Sequence, residues 1–201
     1  MYIAAIFVAS ILGCSHAFPS GAHNNGSNIM ESMSSYCTAG HFRPNHANHL
    51  PQSTAAPYTI TVTSPAGTMY KHGQPVTITL AGTSGRQFKG FFIQGDCTEV
   101  TFEGTITCGS QGHNVTFCGK SGATHSNAVP KDQVVCTWNP PEFQIGKVQF
   151  IATFVENFSI FWSGVRSSTT LVADPTALTY AQQLQRFQML LMQRMNGAGG
   201  E

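Results

Sequence analysis

Charge is what this 201-residue sequence has least of: Asp, Glu, Lys and Arg together make up 9% of it, ten basic against nine acidic, for a formal net charge of +1. With 41% hydrophobic residues beside that low charge, the composition is opposite to that of a disordered chain. No basic run concentrates charge enough for a nucleic-acid footprint, so no nucleic-acid partner is expected. The few carboxylates are scattered, which leaves no basis for a paired-carboxylate hydrolytic site. Also missing are an H-E-x-x-H helix, a phosphate-binding P-loop, a dinucleotide fingerprint and a nucleophile elbow. Gly82-Thr83-Ser84-Gly85 comes nearest to the elbow but lacks its second glycine at the required place. No catalytic residue, cofactor or enzyme activity is therefore expected.

An apolar run, MYIAAIFVASILGCSHA, lies at the start, while Met189–Met192 is far too short to span a bilayer. The length of the first run and the small residues Ser15 and Ala17 fit a cleaved secretory signal over residues 1–17, and the product is expected to be extracellular. Five cysteines follow, Cys37, Cys97, Cys108, Cys118 and Cys136, so at most four pair within the mature chain. None is spaced as a zinc knuckle, and their spacing leaves the connectivity open. Three N-x-S/T sequons, at Asn25, Asn114 and Asn157, suit a secreted glycoprotein.

Residues 18–36 are small and polar without periodicity, which reads as a flexible leader. From Tyr58 the pattern changes. Tyr58–Thr63 and Val76–Leu80 alternate apolar with polar, the period of two that a half-buried strand requires. Further strands are expected at Phe88–Gln94, Val100–Thr107, Asn114–Phe117, Gln133–Trp138, Lys147–Val155 and Phe158–Val165, each bounded by turn residues. Eight short strands at this spacing predict an all-β sandwich or barrel. GFFI and FIATFV are continuously apolar and should be central, with Trp138 and Trp162 as core anchors.

After residue 172 comes a different pattern. Asp174-Pro175 reads as an N-cap followed by proline at the first helical position. Ala177, Tyr180, Leu184, Phe187, Leu191 and Met195 then form an apolar stripe at three- and four-residue steps. Residues 173–201 are thus expected to form an amphipathic helical tail that docks on the sandwich or on another copy, with self-association through 174–195. Elsewhere, His41, His46 and His49 place three imidazoles within nine residues. They can reach one metal if the loop folds back, but Pro44 and the mixed spacing fit no standard ligand pair, so a solvated polar loop is favoured and no metal site is assigned.

Several ordered pieces resemble one family. They are Cys37, Pro44-x-His46, Pro57-Tyr58-Thr59-Ile60, Phe88-Lys89-Gly90-Phe91-Phe92-Ile93-Gln94 and Gly104-Thr105. Next come Cys118 with Ala123-Thr124-His125-Ser126-Asn127 and Lys131, then Trp138-x-x-Pro141, Val148-x-Phe150-x-Ala152-Thr153 and Phe161-Trp162. The series resembles the reeler domain over about Cys37 to Ser168, and is similar to single-domain secreted defense proteins of insects and other invertebrates. The resemblance implies an immunoglobulin-like antiparallel β-sandwich over 37–172. It also implies a disulfide between Cys37 and Cys118, which the chain-entropy model values at about 4–5 kcal/mol.

Cys97 and Cys108 lie outside the family pattern. Ten intervening residues across an expected hairpin make them the favoured second pair, with Cys136 a buried free thiol; a bridge from either to Cys136 is the alternative. Larger relatives join the module to a haem-binding membrane portion, but the residues after Pro175 carry no such pattern, so reductase activity is not transferred. The resemblance implies a defence role, with bacterial surface components as partners. Extracellular matrix assembly, in cuticle, egg coat or shell, is the alternative.

Overall fold

The computed structural model describes residues 44, 46, 49–97, 104–117, 120–141 and 146–176, and within the C-terminal segment 182, 184, 185, 187–189 and 192. Ten strands run β1 Tyr58–Thr63, β2 Met69–Tyr70, β3 Val76–Gly82, β4 Gly90–Cys97, β5 Thr105–Thr107, β6 Gly112–Phe117, β7 Lys120–His125, β8 Gln133–Asn139, β9 Lys147–Asn157 and β10 Ile160–Ala173. They form a four-stranded sheet in the order β1-β3-β8-β5 and a six-stranded sheet in the order β2-β10-β9-β4-β7-β6. Every pairing is antiparallel except the short parallel contact of β2 with β10. The expected sandwich is therefore the fold observed.

The alternation read in the sequence becomes its two-sided packing. Tyr58, Ile60 and Val62 of β1, Val76, Ile78 and Leu80 of β3, and Val134, Cys136 and Trp138 of β8 all point into the core. Register brings Ile60 opposite Leu80, Val62 opposite Ile78, and Ile78 opposite Cys136, so each layer of the core is built from facing rows. Thr59, Thr61, Thr63, Thr77, Thr105 and Thr107, on the other face, meet solvent.

Across the gap, β9 and β4 lie at the centre of the six-stranded sheet, as their continuous apolar sequences required. Their inward residues Phe91, Ile93, Phe150, Ala152 and Phe154 are essentially inaccessible. Aromatic edges join the two sheets. Tyr58 stacks on Phe154 at 4.8 Å, Phe88 meets both Tyr58 and Phe154 edge-on, and Trp138 lies between Tyr70 and Phe150 at 5.2 and 5.4 Å. Trp162 is anchored through its indole N–H, which donates to Thr54 Oγ1 at 3.3 Å.

Four expectations change. First, Cys108 is bonded to Cys136, not to Cys97. The β5–β8 ladder pairs Thr105 with Asn139 and Thr107 with Thr137, so the next step places Cys108 against Cys136, with Cα atoms 4.1 Å apart. Cys97 ends β4 in the opposite sheet, and Cys136 is no free thiol. Second, β7 was not expected as a strand. Its small residues are demanded by crowding: a Cβ at Gly122 would stand 2.8 Å from the carbonyl oxygen of Ile93 and 3.2 Å from the Phe92 ring. Third, Phe158 lies in the turn between β9 and β10 rather than opening a strand.

The fourth change concerns the tail. Asp174 Oδ1 accepts from the Thr176 backbone N–H at 2.8 Å, but Pro175 and Thr176 stand in a turn, and the described residues from Gln182 to Met192 are helical. Of the expected apolar stripe, however, Leu184 and Phe187 are 40% and 50% exposed. They are open to solvent and do not dock on the sheets. Ala177, Tyr180, Leu191 and Met195 lie outside the described residues, as do the signal, the leader, Cys37 and Cys118.

Candidate functional site

The segment from Thr124 to Lys131 leaves β7 at one end of the sandwich and is tied down residue by residue. Thr124 is buried and its hydroxyl donates to the Phe91 carbonyl at 2.8 Å. The Phe91 N–H donates to His125 Nδ1 at 3.2 Å, and the imidazole covers Gly90 so closely that a Cβ there would lie 2.8 Å from the ring. Glycine at position 90 is what lets the ring close over the strand.

Lys131 is the anchor of the loop that follows. It is only 5% exposed, and its ammonium donates to the carbonyls of Asn127, Val129 and Lys89 at 2.7, 2.7 and 2.9 Å. Three carbonyl dipoles offset the desolvation of the charge, although burial still holds the amine below the usual lysine range. Reciprocal backbone bonds between Phe88 and Lys131, 3.0 and 2.9 Å, fasten the loop to the segment leading into β4. Two sequence motifs, one at 88–94 and one at 123–131, thus form a single structural unit.

Beside this loop lies an open depression of about 460 Å³ lined by Gln111, Asn127, Val129, Pro130, Lys131, Asp132 and Gln133. Val129 at its rim is 62% exposed, while its N–H is held by Asn127 Oδ1 at 3.1 Å. Asp132 accepts from Gln87 Nε2 at 3.0 Å. Three carboxamides beside a fixed apolar rim suit recognition of an uncharged polar ligand through hydrogen bonds. The charge of Lys131 is taken up by two carbonyls of the loop and that of Lys89.

The histidine cluster resolves differently from a metal loop. His46 is buried and stacks on Phe158 at 4.7 Å, with Phe161 edge-on at 5.5 Å, and His49 meets Phe158 edge-on at 5.4 Å. Both rings therefore pack on one phenylalanine, and His46 is no solvated loop histidine; His41 lies outside the described residues. Among the described residues no three His, Cys, Asp or Glu side chains gather as a metal site.

Of the sequons, Asn114 is exposed on the edge strand β6. Asn157 opens the β9–β10 turn, where its Oδ1 accepts from Ser159 N, Ser159 Oγ and Ile160 N at 3.0 to 3.1 Å. Asn25 lies outside the described residues. Sequence reading passed over Lys131 as an anchor and the depression beside it; the only available signal was the family motif in which Lys131 stands.

Comparison with known proteins places these features in context. A family model described as the Reeler domain matches residues 36–177. "Putative defense protein 3" of Antheraea mylitta is 31% identical over 175 residues, which cover 86% of this chain and 97% of that protein. "Putative ferric-chelate reductase 1" of Danio rerio is 31% identical over 147 residues, 69% of this chain, and the chain spans only 24% of its length. Among solved structures, the Reelin-N domain of F-spondin aligns with a TM-score of 0.50 at 18% identity, covering 64% of this chain and 94% of that one. That likeness is one of fold.

Proposed function

We propose, since the chain belongs to the reeler domain family, that it is a secreted, non-enzymatic defence protein that binds bacterial surface components. Support comes first from the near end-to-end match with a relative named a defense protein, 86% of this chain against 97% of the relative. The reductase name belongs to a protein of which this chain matches about a quarter, and it is not carried over. Among the described residues no helix is long and apolar enough to cross a membrane.

The lysine-anchored loop and its amide-lined depression are the recognition surface in this reading. With a net charge of +1, killing by cationic disruption of anionic lipid is a poor mechanism, and retention or clumping of cells is the better one. Disulfides and sequon-linked glycans at Asn25, Asn114 and Asn157 belong to the same extracellular reading. Co-sedimentation of the oxidised protein with live bacteria tests it: the protein should pellet with cells, and recovery wholly in the supernatant across Gram-positive and Gram-negative species rejects it.

A second reading, self-association within an extracellular matrix, is favoured by the exposure of Leu184 and Phe187 on the tail helix. Sedimentation velocity with and without residues 174–201 separates the two, because only the matrix reading requires the intact chain to be larger than a monomer.

A further inference from the structure

Pro44, His46 and residues 49–54 lie as an arm against the β9–β10 hairpin. Gln52 N–H donates to the Phe161 carbonyl at 2.8 Å, and Thr54 Oγ1 accepts from the Trp162 indole at 3.3 Å. The arm turns tightly on itself, His46 N–H to Pro44 O at 2.9 Å and His49 N–H to His46 O at 3.1 Å. That turn inserts the His46 ring between Phe158 and Phe161. His46 is 8% exposed, and its Nδ1 is buried without a hydrogen-bond partner.

An orphaned ring nitrogen is tolerable in only one protonation state. In the neutral imidazole, Nδ1 can be the bare acceptor, and its lost hydration is a modest cost. In the imidazolium both nitrogens carry protons, so Nδ1–H becomes a charged donor, buried against two phenylalanines with no acceptor. The hairpin presents the rings of Phe158 and Phe161 and the Phe158 backbone to His46, and Nδ1 stays without a partner; from its own arm His49 faces it and repels a second positive charge. Burial is the main force holding its pKa below the ordinary 6.5, helped by His49 and opposed by a bond with the Phe158 backbone.

We infer that His46 is a pH-sensitive latch: it holds the arm that carries Gln52 and Thr54 on the β9–β10 hairpin at neutral pH, and acid releases the arm and uncovers Phe158 and Phe161. The sign follows from linkage. Above the ordinary histidine value the ring is neutral whether docked or free, and the arm is fully held. Below it the free arm takes up a proton that the docked arm refuses, so docking weakens about tenfold per pH unit until the depressed value is passed. The latch is independent of what the protein binds.

Hydrogen exchange of the oxidised full chain between pH 7.5 and 4.5, corrected for intrinsic rates, tests this. The Gln52 amide is the reporter, since its bond to Phe161 exists only while the arm is docked. Its opening should rise about tenfold per unit below pH 6.5, and His46→Phe, which keeps the ring packing and loses the proton, should stay closed throughout. His49→Asn should still open. A flat wild-type profile, or His46→Phe opening as the wild type does, overturns the latch. If His46→Phe does not fold, an NMR titration of His46 in the wild-type chain decides: its midpoint must coincide with release of the Gln52 amide, and separate midpoints reject the assignment.

Discussion

Removing the Cys108–Cys136 bond as Cys108→Ala/Cys136→Ala should cost about 3–4 kcal/mol. The bond closes a loop with a sequence separation of 28, for which the chain-entropy relation gives roughly 3.5 kcal/mol at 25 °C. Both positions are buried, at 3% and 0% exposure, so the lost sulfurs leave small gaps in the core and add to the loss rather than relieve it. Guanidinium unfolding followed by tryptophan fluorescence reads this directly. With a slope of about 4 kcal/mol/M for a domain of this size, the midpoint should fall by about 0.9 M. Cys97→Ala is the control and should move the midpoint little. If instead Cys97→Ala carries the large loss and Cys136→Ala is nearly silent, the bond runs as the hairpin spacing first implied and the β5–β8 register is wrong.

Other perturbations follow from the same geometry. Lys131→Met leaves three carbonyls without their donor and should destabilise the domain by about 2–3 kcal/mol, measurable by the same unfolding assay. Gly122→Ala forces a Cβ against the Ile93 carbonyl and should cost about 1–3 kcal/mol in a thermal melt. Tyr58, buried beside Glu156, has its hydroxyl pKa pushed up to about 12. Its stabilising share is complete below the ordinary value of 10 and drains as pH rises through 12, so alkaline ultraviolet titration should show one tyrosine ionising late, and Tyr58→Phe should remove that phase.

Much of the sandwich was legible because solvent writes itself into alternating strands. β1, β3 and β8 each bury one face, and period two in Tyr58-Thr59-Ile60-Thr61-Val62 records it. β7 left no such record: wedged between β4 and β6, it is selected for small size at Gly122 and Ala123, a pressure that comes from neighbours far away in sequence. The disulfide failed for a related reason. Hairpin spacing is a local guess, whereas Cys108 meets Cys136 through register between strands separated by a visit to the other sheet.

At the site the motif around Ala123-Thr124-His125 was visible as a family likeness, yet its physical meaning was not. That Lys131 is an internal cation for three carbonyls, and that His46 faces Phe158 and Phe161 rather than a metal, depends on partners 42 or more residues away or on loop closure. The tail shows the opposite case. The turn at Asp174 is local, so its side-chain bond to Thr176 was legible, while what covers Leu184 and Phe187 was not, because an apolar stripe states a need for cover without naming what supplies it.

The most direct measurement is binding of the oxidised protein to purified bacterial cell-wall polymer, compared with a Gln111→Ala/Gln133→Ala variant, which leaves the Lys131 anchor and the Asn127–Val129 bond in place. The account predicts saturable retention of the wild type and at least a tenfold loss in the variant at unchanged stability. Equal retention of both would remove the depression from the mechanism, and retention of neither on any cell-wall polymer would contradict the defence reading itself.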